Sequence, residues 1–218
     1  MAKQTFFNLP QVKQDTILNA AMHEFGEAGY DLSSIQKIVK ACGIPRGSFY
    51  QYFEDKEDVF AEVMFVISER KMVYMKPVIE GGQELGMFDL LKELVKAGVA
   101  FGINDPLAFR VGKTITASKT LDLNSFIKKY KQKIYDRNQI TEEAIYASAM
   151  KNSLERGEID SRFSMPTIMT YANKTMEAMA EMYWSFMANE GDPHAGDNIL
   201  DEMIHVLRYG LSSTNKPG

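Results

Sequence analysis

The sequence predicts an all-α fold: a small N-terminal helix-turn-helix domain followed by a larger helical ligand-binding and dimerisation domain. Three observations carry that prediction. Apolar residues recur at helical spacing through most of the 218 residues, and strand-like alternation is nearly absent. Gly43, Pro45, Pro77, Gly81-Gly82 and Pro106 punctuate the chain where helices should begin, bend or end. Residues 31–58 read as two short helices joined by a tight turn.

The elements follow in order. A first helix is predicted from about Pro10 to Ala28, with Ile17, Ala21 and Phe25 four apart on one face. Ser33 or Ser34 can cap the next helix, because a serine hydroxyl accepts a bond from an otherwise unpaired amide. Ile35, Ile38, Val39 and Cys42 form its apolar stripe. Gly43 sits where a left-handed residue must end that helix, and glycine takes that conformation without steric cost. Ile44 should point inward. Pro45 suits the first turn of the following helix, where a missing N–H is no loss. Phe49 and Phe53 are its buried face.

Asp55 opens a long fourth helix carrying Val59, Phe60, Val63, Ile67 and Tyr74, which Pro77 should end or kink. Gly81-Gly82 is the expected hinge. A helix from about Gly86 ends at Asn104-Asp105-Pro106, where another begins. Further helices are predicted within 122–156, broken near Arg137, then from Pro166 to Ala188 and from Ala195 to Leu211.

Composition bounds the function classes. A chain 45% hydrophobic and 25% charged describes a soluble globular protein with a substantial core. No apolar run approaches the roughly 20 residues a membrane span needs, and the N-terminus lacks the apolar segment of a secretory signal. The single cysteine excludes an internal disulfide and suits a reducing cytoplasm; on a helix stripe, Cys42 reads as packing. The net charge of −4 is not that of a bulk polyanion binder. The local balance differs: Lys37, Lys40, Arg46 and Lys56 face only Glu54 and Asp55 between residues 36 and 56.

The second helix of the pair carries the chemistry. Arg46, Gly47 and Ser48 form its leading turn, the part that meets base edges in a major groove. Arginine can bind guanine O6 and N7 together, and Gly47 permits close approach. Ser48, Tyr50, Gln51 and Tyr52 can donate to phosphates, which fixes position rather than sequence. Lys56 lies just beyond, within reach of a phosphate. An ordinary helical hairpin with no DNA role is the bland alternative.

With these residues in place, the pattern Ser33-Ser34-Ile35-x-x-Ile38-Val39-x-x-x-Gly43-Ile44-x-x-Gly47-Ser48-Phe49-Tyr50-x-Tyr52-Phe53-x-x-Lys56-Glu57 resembles the DNA-binding domain of the TetR family of repressors. Ile17-Leu18-x-Ala20-Ala21-x-x-x-Phe25-x-x-x-Gly29-Tyr30 resembles that family's first helix. The specific resemblance covers about residues 12 to 60. It implies that Ser34 and Lys56 bind phosphate, that Arg46, Ser48 and Gln51 face bases, and that Tyr50 and Tyr52 touch the backbone. Pro45 departs from the small polar residue often found there, so one phosphate contact is lost. The implied division is a DNA-binding domain over 1–56 and an effector-binding and dimerisation domain over 57–218. The implied partners are a double-stranded operator, a small-molecule effector and a second copy of the chain, with no cofactor and no membrane.

Within the body, residues 86–160 are the expected sensor. The stretch offers Phe88, Phe101, Phe109, Phe126, Tyr130, Tyr135, Tyr146 and Met150. Of these, Phe101, Phe109, Phe126, Tyr130, Tyr146 and Met150 are the candidates to line an apolar cavity, although most aromatics must be plain core. Lys128-Lys129-x-Lys131-x-Lys133 reads as a solvated face before an anion site. Ala172, Met176, Met179 and Tyr183 on one helix, with Met203, Val206, Leu207 and Gly210 on another, are the expected four-helix dimer interface. Two recognition helices would then read half-sites about 34–36 Å apart.

Two other classes compete with this reading. Glu202-x-x-His205 places two metal ligands on one helix face, as in di-metal helical bundles, but no second copy of the motif exists. There is no phosphate-cradling glycine loop, zinc spacing or nucleophile elbow, and the chain is expected not to be an enzyme. A protein-binding helical adaptor would leave Arg46, Gln51 and Tyr52 without a purpose.

Overall fold

A computed structural model describes residues 2–138, 142–160, 162–189 and 193–209. Its helices are α1 (Gln4–Phe7), α2 (Gln11–Leu32), α3 (Ile35–Ala41), α4 (Arg46–Tyr52), α5 (Lys56–Gly81) and α6 (Met87–Asn104). They continue with α7 (Pro106–Ala117), α8 (Leu123–Asn138), α9 (Glu142–Glu155), α10 (Met165–Asn189) and α11 (Pro193–Tyr209). A 3-10 turn, Gly82–Glu84, follows α5, and no strand occurs among the described residues. The fold is all-α, as the helical periodicity predicts.

The chain divides into two compact units: Met1–Met72 with Asn104–Gln139, and Val73–Ile103 with Ile140–Gly218. This packing division differs from a boundary at residues 56 and 57, because α7 and α8 pack with the N-terminal helices. Helix α7 lies so close to α2 that a side chain on Gly26 would meet Leu107 at 2.6 Å. The first unit's core is aromatic: Phe25, Phe60 and Tyr30 form a cluster with ring centroids 4.8–6.2 Å apart. Phe126 and Tyr130 of α8 extend it onto α5.

Acidic groups open the helices where unpaired amides need acceptors. Asp55 accepts from the Asp58 amide at 2.8 Å, and Asp58 accepts in turn from Glu54 at 3.1 Å. Asp105 caps α7 through the Ala108 amide at 3.1 Å while pairing with Arg70. The serine cap expected for α3 is absent: Ser34 stands at the N-cap without a side-chain bond, and the Ser33 hydroxyl donates backward to the Tyr30 carbonyl at 2.7 Å. Glu24 takes the Ser34 amide instead, at 3.0 Å.

Helix α5 does not end at Pro77 but runs on to Gly81. The carbonyl that loses its partner belongs to Val73, 72% exposed, where solvent can take the bond. The Gly81-Gly82 hinge is a held turn: Asn152 donates to the Gln83 and Leu85 carbonyls at 2.7 and 2.9 Å, and Arg156 to Glu84 at 2.7 Å. In the second unit, buried Ser153 accepts from the Met87 amide at 2.7 Å and donates to Glu158 at 2.9 Å. Lys96 pairs with Asp197 at 2.9 Å, tying α6 to α11.

Candidate nucleic-acid interface and body cavity

The helix-turn-helix is built as its spacing requires. Ile38 and Val39 of α3 are buried with Phe49 and Phe53 from α4 and its end, while Ile35 and Cys42 are half-buried. Gly43 has φ +69°, the left-handed turn that only glycine takes cheaply. The Ile44 amide then reaches the Val39 carbonyl at 3.1 Å, closing the turn. Pro45 stands just before α4 at φ −62°. Cys42 is packing: burial pushes its thiol up from the ordinary range, and its sulfur lies 3.7 Å from the Val39 carbonyl.

Pro45, Arg46, Gly47, Tyr50 and Gln51 are exposed along one face, with Ser48 half-buried beside them. Arg46 makes no ion pair among the described residues, so its guanidinium is available to a ligand. Lys37 is 64% exposed and loosely paired to Glu24 at 3.5 Å, and Lys40 is exposed. This face carries cations, a hydroxyl and an amide, with Glu24 the carboxylate that Lys37 meets.

Two of the expected phosphate contacts are not offered. Tyr52 is 7% exposed and packs toward Phe6, so its ring belongs to the core. The Lys56 ammonium donates to the carbonyls of Tyr30, Asp31 and Ser33 at 2.6, 3.3 and 3.3 Å and lies 4.6 Å from the Tyr30 ring centroid. Burial pulls its pKa below the ordinary lysine value, against the pull of Asp31 and Glu24. Lys56 pins the start of α5 to the end of α2.

Sequence reasoning missed what holds α4. The last carbonyls of a helix lack intrahelical partners. Here the N-terminal arm supplies them: the Lys3 amide bonds Tyr52 at 2.7 Å, the Lys3 ammonium bonds Tyr50 at 2.9 Å, and the Thr5 hydroxyl bonds Gln51. Phe6, 1% exposed, seats the arm with its ring 4.9 Å from Phe53. The Phe6-Phe7 pair ahead of Pro10 was the available signal.

A second clasp grips the head near α3. The Asp31 carboxylate accepts from the Ser118 and Thr120 hydroxyls at 2.5 and 2.6 Å and from the Lys119 and Thr120 amides at 2.8 and 3.3 Å. The hydroxyl bonds of Ser118 and Thr120 hold this carboxyl well below the usual carboxylate range.

The second unit contains a cavity of about 560 Å³ between α6, residues 158–160 and Phe163, α10 and the end of α11. Met87, Phe88, Leu91, Ile168 and Leu207 supply apolar walls, with Arg208 at the wall's end. Phe88, which the same stretch offers, is there, but the six candidates do not line it, and the Tyr135 side chain lies outside the described residues. Phe126 and Tyr130 are core of the first unit, with their rings tilted or edge-on against α5 residues Phe60 and Phe65, and Phe109 belongs to that unit too. Phe101 packs on Tyr74, and buried Tyr146 and Met150 face protein. The i, i+4 stripe of α8 was a packing stripe. Of its basic cluster, Lys129 pairs with Glu57 at 2.8 Å and Lys133 with buried Glu62 at 2.5 Å; the Lys131 side chain lies outside the described residues.

The expected dimer stripe is half internal. Ala172, Met179 and Tyr183 are buried within their own unit, at 3%, 0% and 6% exposure. Met176, Met203 and Leu207 are half-buried, Val206 is exposed, and Gly210 lies outside the described residues. The buried three pack within the unit that holds α10 and α11. Ala178 and Met182 on α10 and Val206 on α11 are exposed. Glu202 and His205 are exposed, and no group of three or more His, Cys, Asp or Glu converges among the described residues.

Comparisons with known proteins place this geometry. Residues 17–63 match the family model described as bacterial regulatory proteins, tetR family. Over 63 residues the chain is 36% identical to the HTH-type transcriptional regulator AcrR of Shigella flexneri, covering 29% of each chain. Over 71 residues it is 34% identical to the HTH-type transcriptional regulator UidR of Escherichia coli K12, covering 33% of this chain and 36% of that one. The aligned stretch thus spans about a third of these curated relatives. Among solved structures, a TetR family transcriptional regulator from Chloroflexus aurantiacus aligns with TM-score 0.59 at 20% identity, over 96% of this chain and 98% of that one. FadR from Bacillus subtilis, in complex with stearoyl-CoA, aligns with TM-score 0.61 at 17% identity, over 90% and 98%. These likenesses show the fold along nearly the whole chain. No described helix is long and apolar enough to cross a membrane.

Proposed function

We propose that this chain, which carries the N-terminal domain of the TetR family of bacterial regulatory proteins, is a homodimeric transcriptional regulator. In this reading it represses from a palindromic operator and is released by a small-molecule effector. One observation carries it: α4 presents Arg46, Gly47, Ser48, Tyr50 and Gln51 on one open face, inside the segment matched to the family. Such a helix reads base edges, with Arg46 of the leading turn on guanine and Gln51 of the next turn on adenine. Ser34, Lys37, Lys40 and Tyr50 serve phosphates. Pro45 and Gly47 shape the approach.

Functionally, residues 1–56 are the DNA-binding part and 57–218 the effector-binding and dimerisation part. The dimer forms through the exposed Ala178, Met182 and Val206 face of α10 and α11, with Met176 and Met203 at its margin. An effector that prefers one of two dimer states lowers operator affinity by its differential affinity for them. The working compartment is the cytoplasm, and the chain is not an enzyme. Its relatives AcrR and UidR are named as transcriptional regulators.

Salt dependence of binding tests the interface. With few cations facing the DNA per subunit, log affinity for an operator duplex falls with log salt along a shallow but finite slope. Salt-independent association would contradict an interface that runs through phosphates.

A further inference from the structure

We infer that the body cavity takes an amphipathic monoanion, an apolar chain ending in a carboxylate, and that Arg208 binds the carboxylate. This rests on the reading that the body senses a small molecule, and it names the class. The cavity is about 560 Å³, within the range of small-molecule sites, and its walls are mainly aliphatic and aromatic.

The deciding group is Arg208. Its Nε is buried and has no hydrogen-bond partner among the described residues. A buried donor left unpaired is costly, so it is a place for an acceptor. The guanidinium lies 4.7 Å from the Phe88 ring centroid. Stacking uses the face of the guanidinium and leaves its in-plane N–H groups to bind a carboxylate.

The two carboxylates at the cavity do not answer Arg208. Asp160 takes the side chain of Arg162 at 2.6 and 2.8 Å. Glu158 takes the Ser153 hydroxyl at 2.9 Å and lies 4.0 Å from Arg156. With each acid matched to an arginine of its own segment, Arg208 is one cation in excess. An apolar cavity with one surplus guanidinium favours an anion over a neutral or cationic chain of equal length. Thr167 and Tyr171 add hydroxyls along the lining.

The test is calorimetric titration of the full chain, at neutral pH, with decanoate, decanol and decylammonium below their aggregation concentrations. The expected result is one decanoate per chain, bound about 10- to 100-fold more tightly than decanol, the range of a charge-assisted hydrogen bond. Decylammonium binds least. Arg208→Gln, checked for helical content, abolishes the preference for decanoate over decanol, and Arg208→Lys restores part of it. Leu91→Trp fills the cavity and weakens all three.

Equal binding of decanoate and decanol, preference for the ammonium, or no binding overturns the inference on the wild type alone, whether or not a variant folds. A folded Arg208→Gln that keeps the preference also overturns it, as does an indifferent Leu91→Trp. Operator binding is measured separately without ligand. Operator bound with no anion preference sinks this inference only; anion bound with no operator sinks the regulator reading only.

Discussion

Arg46 and Lys56 are both cations of the head, yet their surroundings give them opposite work. Arg46 is exposed without an ion pair among the described residues, whereas Lys56 is bonded to three backbone carbonyls. Arg46→Ala should leave stability unchanged and lose about 1–3 kcal/mol of discrimination at one base position, read by binding to single-base operator variants. Lys56→Met should do the reverse. It leaves carbonyls unpaired and costs about 1–3 kcal/mol in denaturant unfolding, with the salt slope of DNA binding unchanged. Asp31 adds a pH signature. Its folded pKa is depressed below the ordinary value near 3.8. The stability it contributes is therefore present above that ordinary value and is lost as pH falls toward the depressed one. The stability gap between wild type and Asp31→Asn should be full at pH 7 and shrink steadily below about pH 4. A gap that is constant with pH would mean the four-bond clasp does not hold the charged carboxylate.

Among the elements, α4 is short and depends on others for its end. A helix of seven residues cannot hold itself. The arm around α1 satisfies its last carbonyls, and Phe6 anchors the arm in the core. Phe6→Ala should cost about 3 kcal/mol in unfolding free energy and speed amide exchange in α4 beyond that of α2. Gly43→Ala, forced to φ +69°, should cost about 1 kcal/mol. The helix-turn-helix was legible because local rules determine it: the stripe of Ile38 and Val39, the left-handed Gly43 and the Phe49–Phe53 pair. The arm was not, because four residues carry no periodicity. Nor was the division of labour along α8. Phe126 and Tyr130 show the same i, i+4 spacing whether they line a cavity or cover α5, and periodicity reports a buried face without naming its neighbour.

For the whole molecule the same ambiguity touches the dimer. Ala172, Met179 and Tyr183 are buried in their own unit, so the proposed dimer uses the exposed Met182 and Val206 instead. Met182→Glu with Val206→Glu should convert a dimer into a monomer in sedimentation, keep the helical content, and abolish operator binding at concentrations that saturate wild type. Retention of the dimer would place the interface elsewhere. The cavity was half legible: Phe88 stood in the expected stretch, whereas Arg208 lies in a last helical turn where a cation is ordinary and only burial makes it notable.

The central claim is that α4 of a dimer reads DNA. Its most direct measurement is selection of bound duplexes from a random library at near-physiological salt, with wild type and Arg46→Ala side by side. The account predicts an enriched inverted repeat with half-site centres about one helical turn apart, or a whole multiple of it. It also predicts loss of preference at one symmetric base pair with the variant. Enrichment of no motif by wild type, or an identical motif with Arg46→Ala, would contradict it.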